Sequence, residues 1–216
     1  MNAPNTLSAD ETAAGFRLLF DGRTTAGWRG YRQEEIYPHW RVVDDALMFH
    51  PEPNPQYGHD IISVDQFRNF EFRIEWRLQE GGNSGIMYHV RETDDRPYMT
   101  GPEYQLLDND RHGDARNGLD RHTGACYALY APTEPASAPI GTWNRTTIIV
   151  DGGDVQHVLN DRTVCTYTLG SADWQQRITG TKFADWQGFA AERNGHICLQ
   201  DHLDPVAFRN IRIRTW

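Results

Sequence analysis

Three stretches of the chain carry titrating or ligand-binding side chains at spacings that a strand presents together. Glu103 and Gln105 lie two apart in Gly101-Pro102-Glu103-Tyr104-Gln105, so a strand there projects both from one face. Gln200 and His202 share parity in Gly195-His196-Ile197-Cys198-Leu199-Gln200-Asp201-His202, while Asp201 between them points the other way and is placed to orient a neighbour. Glu75 sits on the polar side of a strictly alternating run, Phe70-Glu71-Phe72-Arg73-Ile74-Glu75-Trp76-Arg77-Leu78. Carboxylate, amide and imidazole in such arrangements can move protons near neutral pH and grip a ligand rich in hydroxyls. A strand serving only a core has no need of them.

The elements that must position these groups are strands almost throughout. Besides residues 70–78, the pattern predicts strands over 40–49, 86–91, 103–107, 143–150, 155–159, 163–167, 196–200 and 208–214. Asp21-Gly22, Gly81-Gly82-Asn83, Gly101-Pro102 and Asp151-Gly152-Gly153 supply turns between them, and Asn160-Asp161 makes a further tight turn. Residues 109–122 and the proline-bearing 131–141 are long connections of the kind that frame binding sites. Only residues 173–183 suggest a helix, and a short one. Many short strands without helical runs imply an all-β fold of two packed antiparallel sheets. With no repeat or linker, the chain divides into a polar amino-terminal extension, 1–14, and one domain, 15–216.

Composition narrows the partners. A formal net charge of -9 argues against a nucleic-acid binder, which needs a basic face. Residues 1–14 lack both a basic start and an apolar run, so no secretory signal or membrane helix is expected there. The chain as given therefore reads as cytoplasmic, or as periplasmic if a leader has been removed. Cys126, Cys165 and Cys198 are an odd, widely spaced set that reads as small buried hydrophobes rather than a disulfide or zinc framework.

A set of short motifs, each weak alone, occurs in one order along nearly the whole chain, from residue 16 to 214. They are Leu19-Phe20-Asp21-Gly22 with Gly27-Trp28, Glu75-Trp76-Arg77, Asn83-Ser84-Gly85-Ile86-Met87-Tyr88-His89, and Gly101-Pro102-Glu103-Tyr104-Gln105 with Asp108-Asn109. Gly141-Thr142-Trp143-Asn144, the Asn160 turn, and Leu199-Gln200-Asp201-His202 before Phe208-Arg209-Asn210-Ile211 complete them. Together they resemble the 3-keto-disaccharide hydrolase family. His89 stands where many members carry Arg, and Leu203 where many carry Gly. The resemblance implies a concanavalin A-like jelly roll with sugar on a concave face, and cleavage of glycosides already oxidised at C3.

Conventional glycosidases of this fold commonly place acids as Glu-x-Asp-x-x-Glu, and the nearest approach here, Glu92-Thr93-Asp94, meets Pro97 where the last acid belongs. A 3-keto sugar offers another route. Its ketone acidifies C2–H, so a base generates an enolate that expels the C1 oxygen, with or without later water addition at C1. That route needs a base, an electrophile for the charge on O3 and a proton donor for the leaving oxygen. Glu75, Glu103 and His202 are the candidates for this chemistry, and Lys182, in a Lys-Phe pair common among the family's relatives of this chain, is a cation for the enolate. Asn83, His89, Gln105 and Gln200 are candidates to hold the sugar, with Asp108 at a loop edge and Trp143 as a stacking platform. The plainer readings are a cross-strand ion pair with Arg73 or Arg77 for Glu75, a structural polar ladder for Glu103 and Gln105, and a structural histidine for His202. For His89 the plainer reading is a hydrogen-bonding sheet histidine, for Lys182 a solvated loop lysine, for His112 an ordinary loop residue and for Trp143 a core role. One divalent cation held by carboxylate and imidazole suits the chemistry, with His112 a further candidate, although no spacing forms a recognised metal motif. The expected partner is a small carbohydrate. The competing functions are a non-catalytic carbohydrate-binding module and a conventional glycoside hydrolase.

Overall fold

Phe70, Phe72, Ile74, Trp76 and Leu78 all turn inward from one strand and are at most 2% exposed, as their alternation requires. Around them, a computed structural model, which describes residues 3–52 and 58–216, assembles two antiparallel sheets. The strands are β1 (Arg17–Leu18), β2 (Trp28–Gly30), β3 (Trp40–Val43), β4 (Ala46–Phe49), β5 (Ile61–Ser63), β6 (Phe70–Leu78) and β7 (Asn83–Val90). They continue as β8 (Glu103–Leu107), β9 (Asn144–Asp151), β10 (Asp154–Leu159), β11 (Arg162–Thr168), β12 (His196–Leu199) and β13 (Val206–Thr215). One sheet runs β11-β10-β9-β6-β13-β4-β3 with β1 on β13; the other, of five strands, runs β2-β5-β12-β7-β8. The result is the expected all-β jelly-roll sandwich.

Aromatic side chains fill the space between the sheets. Trp76 donates its indole N–H to Thr146 Oγ1 at 2.9 Å, so its polar atom is satisfied where water cannot reach. Tyr88, Tyr167 and His157 form a buried hydrogen-bonded chain that ends on the Gly124 carbonyl, 3.0 Å from His157 Nδ1. The three cysteines are free and buried.

Three differences from the sequence reading have local causes. The run 40–49 is a hairpin rather than one strand, because Asp44 and Asp45 both take positive φ, the turn chemistry of a two-residue hairpin loop. Strands β1, β2 and β5 are two or three residues long, too short to show a period. The polar amino-terminal extension holds an element that the pattern did not show. It forms a short helix, α1 (Ala9–Ala13), closed by a capping box of Ser8 and Glu11, and Asn5 exchanges hydrogen bonds with Asn210. The expected helix over 173–183 is α2 (Ala172–Thr179), followed by a 3-10 turn, Lys182–Asp185.

Candidate active site

Strands β7 and β8 pair with Gly85 opposite Gln105 and Met87 opposite Glu103. A Cβ added at Gly85 would overlap the Glu103 carboxyl, coming within 2.8 Å of its Cδ, so the glycine leaves the room in which that carboxyl lies. Asp60 enters at the head of β5, and Gln200, Asp201 and His202 follow β12. These groups line a cavity of about 340 Å³ on the five-stranded sheet, with Asn83 and Gln105 beside them. Segments outside the sheet complete the wall with Tyr98, Asp114, Tyr127, Lys182, Phe183 and Phe189.

The cavity holds acids that are pushed toward their neutral forms. Burial raises the Glu103 carboxyl to about 8; the charges of Asp60 and Asp114 add to this and Lys182 opposes it. Burial likewise raises Asp60 to about 7, helped by the Asp201 charge and opposed by the Asp201 N–H, which donates to Asp60 Oδ1 at 2.9 Å. Asp201 is itself committed to structure. Its Oδ2 accepts from the His59 backbone N–H at 3.1 Å and meets His59 Nδ1 at 3.2 Å, while Oδ1 accepts from Leu203.

Two amide oxygens on the cavity, Asn83 Oδ1 and Gln200 Oε1, are buried without a hydrogen-bond partner among the described residues. Buried polar atoms in native folds are normally satisfied, so two orphaned acceptors facing one cavity mark where ligand donors belong. Lys182 is the only lysine in the sequence. Its Nζ lies 5.0 Å from the ring centre of Tyr127, 5.5 Å from Trp186, 5.6 Å from Phe183 and 5.8 Å from Tyr98.

Residues 15–214 match the family described as a 3-keto-alpha-glucoside-1,2-lyase-like domain. The chain belongs to this family. A 3-keto-disaccharide hydrolase of Bacteroides thetaiotaomicron is 35% identical over 94% of the chain and 79% of its own length. A Parabacteroides distasonis protein assigned as a glycosyl hydrolase superposes with a TM-score of 0.90 at 31% identity, covering 99% of this chain and all of that one. The carbohydrate-binding module CBM66 of Bacillus subtilis shares the fold alone, with a TM-score of 0.55 at 12% identity over 88% of this chain and 96% of its own.

In this family member the structure gathers Glu103, His202, Lys182, Asn83, Gln105 and Gln200 around one cavity. It does not gather the other four sequence candidates. Glu75 lies on the opposite sheet, paired with Arg209 at 2.7 Å, so the ion-pair reading holds for it, with Arg209 rather than Arg73 or Arg77 as the partner. Trp143 is beside that pair, with the guanidinium groups of Arg209 and Arg77 4.1 and 4.8 Å from its ring centre. Asp108 is buried as a turn anchor that accepts from the N–H groups of Gly81, Asp110 and Arg111. His89 takes φ 55° where the β7–β12 register shifts, so the regular alternation of β7 breaks there. It packs on Phe70 and Tyr88, with Nε2 2.9 Å from the Arg68 carbonyl.

Asp60 is the principal residue that pattern reading missed. The one local signal was an acid immediately before the apolar Ile61-Ile62, a poor place for an unpartnered charge.

Proposed function

We propose that this cavity cleaves glycosides carrying a ketone at C3, by removal of the C2 proton and elimination of the C1 oxygen. The observation that carries the proposal is a buried carboxylic acid, Glu103, held up to about 8 beside two orphaned amide acceptors. Protonated at neutral pH, Glu103 can donate to the departing oxygen. Asn83 and Gln200 accept from sugar hydroxyls, which fixes the ring while the bond breaks. Water addition at C1 afterwards gives overall hydrolysis; release of the unsaturated sugar gives a lyase. The preferred anomer is α, as the family's description suggests, because C2–H and C1–O are then trans-diaxial.

A divalent cation belongs to the same proposal. The ligand atoms of His112, His202 and Asp204 lie within 4.8 Å of one another, and Asn83 reaches His202 Nε2 at 3.3 Å while its own Oδ1 lacks a partner. His112, His202 and Asp204 would hold the ion, whose chemistry is polarisation of sugar oxygens. His112 Nδ1 accepts from the Asp114 N–H at 3.1 Å, which leaves the ring proton on Nε2. Ligation through Nε2 would need that proton on Nδ1 instead, in exchange for the Asp114 contact.

The test is product analysis on matched glucosides, oxidised and unoxidised at C3, with and without chelator, together with metal analysis of the purified protein. Cleavage confined to the keto form supports the proposal, and loss of that cleavage on chelation supports the cation. Equal cleavage of both forms makes this a conventional glycosidase. Binding without cleavage of either makes it a carbohydrate-binding module.

A further inference from the structure

The chain has 21 basic side chains, and 20 of them are arginine. Arginine cannot give up its proton in a protein, whereas a desolvated lysine can. The one lysine stands on the cavity, at the start of the 3-10 turn Lys182–Asp185. Four rings hold its amine in one place, and Glu103 acts on it through space from strand β8. A fixed cation for an enolate could have been another arginine. Among the lysines and arginines of the chain, this is the one position able to act as a base. Burial lowers Lys182 below the ordinary lysine value, reinforced by Arg121 and opposed by Glu103 and Asp114. The phenols of Tyr98 and Tyr127 flank it, and burial raises Tyr127 well above its ordinary range.

Resting on the keto-glycoside reading above, we infer that Lys182 is the base that takes the C2 proton, with Glu103 as its partner acid. The neutral amine takes the proton and the C2–H electrons form the C2=C3 double bond of an enolate. Those electrons then restore the C3 carbonyl and form C1=C2 as the C1–O bond breaks, and Glu103 protonates the leaving oxygen. The site ends as ammonium and carboxylate. Proton exchange with water resets both, one proton leaving Lys182 and one reaching Glu103, so no net acid or base is consumed.

The experiment follows exchange of C2–H into deuterated water, and cleavage, on a 3-keto-glucoside for wild type, Lys182→Arg and Lys182→Met. Ligand binding is followed separately by tryptophan fluorescence, since Trp186 lies beside the amine. Lys182→Arg should bind keto-sugar as wild type does while losing exchange and cleavage by about 100-fold or more. Lys182→Met should lose them too, with partial recovery from added small amines. Exchange by Lys182→Arg within about tenfold of wild type would reduce Lys182 to a fixed cation and overturn the assignment, leaving the keto-glycoside reading intact. Borohydride trapping of substrate on Lys182 during turnover would overturn it differently, by showing an iminium instead of a proton transfer. A wild-type protein that neither exchanges nor cleaves any keto-glucoside would remove the function itself.

Discussion

The two outward faces of the sandwich are both dense in ionisable side chains, and they handle them in opposite ways. On the eight-stranded sheet the acids of its central strand β6, and Glu11 of α1, meet arginines. Glu75 pairs with Arg209 at 2.7 Å, Glu71 with Arg73 at 2.6 Å and Arg214 at 2.9 Å, and Glu11 with Arg212 at 2.6 Å. On the five-stranded sheet, Asp60 and Glu103 feel Arg96 and Lys182 only through space, and burial lifts both acids far above their ordinary range. Charge density therefore does not separate a site from a surface in this fold. What separates them is whether each charge is answered within the protein or left for a ligand.

The sharpest way to break that comparison is to neutralise one carboxyl on each face. Glu103→Gln should lower turnover of a keto-glycoside by about 100- to 10,000-fold, the range for removal of a general acid. Glu75→Gln should leave turnover within about threefold of wild type, since surface substitutions far from a site seldom disturb it. Steady-state kinetics on the two variants decides the matter, and equal losses would dissolve the distinction between the faces. Gly85→Ala asks the same question without touching a charge. Its methyl group takes the space of the Glu103 carboxyl, so turnover should fall by about tenfold or more through misplacement of the acid. Circular dichroism should show the fold retained.

The faces should also differ in how pH acts on stability. Between their ordinary carboxylate range and about 7 to 8, the folded protein keeps protons on Asp60 and Glu103 that the unfolded chain has released. Stability must therefore fall as pH rises through that window. Glu11 has the reverse sign. Burial works against its ionisation, but the Ser8 N–H and the Arg212 and Arg73 charges outweigh it and leave its pKa lowered. Its contribution is present above the ordinary carboxylate value and is lost as pH falls through its lowered one. Urea denaturation across the two windows should show Glu103→Gln flattening the upper decline and Glu11→Gln flattening the acid-side loss. The same slope in wild type and Glu103→Gln between the ordinary carboxylate value and about 8 would mean that Glu103 is not held protonated.

How much of this was legible before the structure depended on whether local periodicity survived. The strand over residues 70–78 was readable residue by residue, because nothing interrupts its alternation. Glu103 with Gln105, and Gln200 with His202, were readable for the same reason, although β12 itself ends at Leu199. His89 was not, because a bulge shifts the parity within its own strand. Glu75 illustrates a deeper limit. Its alternation is as regular as that of Glu103, and only the sheet order puts β6 beside β13 and hence Arg209 opposite it. Asp60 immediately precedes a three-residue strand that makes no pattern, and its importance comes from what surrounds it in space. Order along the chain reveals faces, but it does not reveal which sheet a face belongs to.

The smallest expected effect tests the plain half of the comparison. If the Glu75–Arg209 pair is ordinary sheet chemistry, its removal should register in stability alone. Both side chains are partly solvated, at 20% and 28% exposure, so their coupling should be about 0.5 to 1 kcal/mol in a double-mutant cycle of Glu75→Gln and Arg209→Gln. Arg209→Gln should also lose more stability than Glu75→Gln, because the guanidinium, besides its ion pair, lies 4.1 Å from the ring centre of Trp143. Added salt should shrink the coupling while leaving much of the Trp143 contribution, since packing on a ring is screened less than an exposed pair. A coupling of several kcal/mol, or any change in keto-glycoside turnover accompanying it, would make the outer face part of the functional machinery after all.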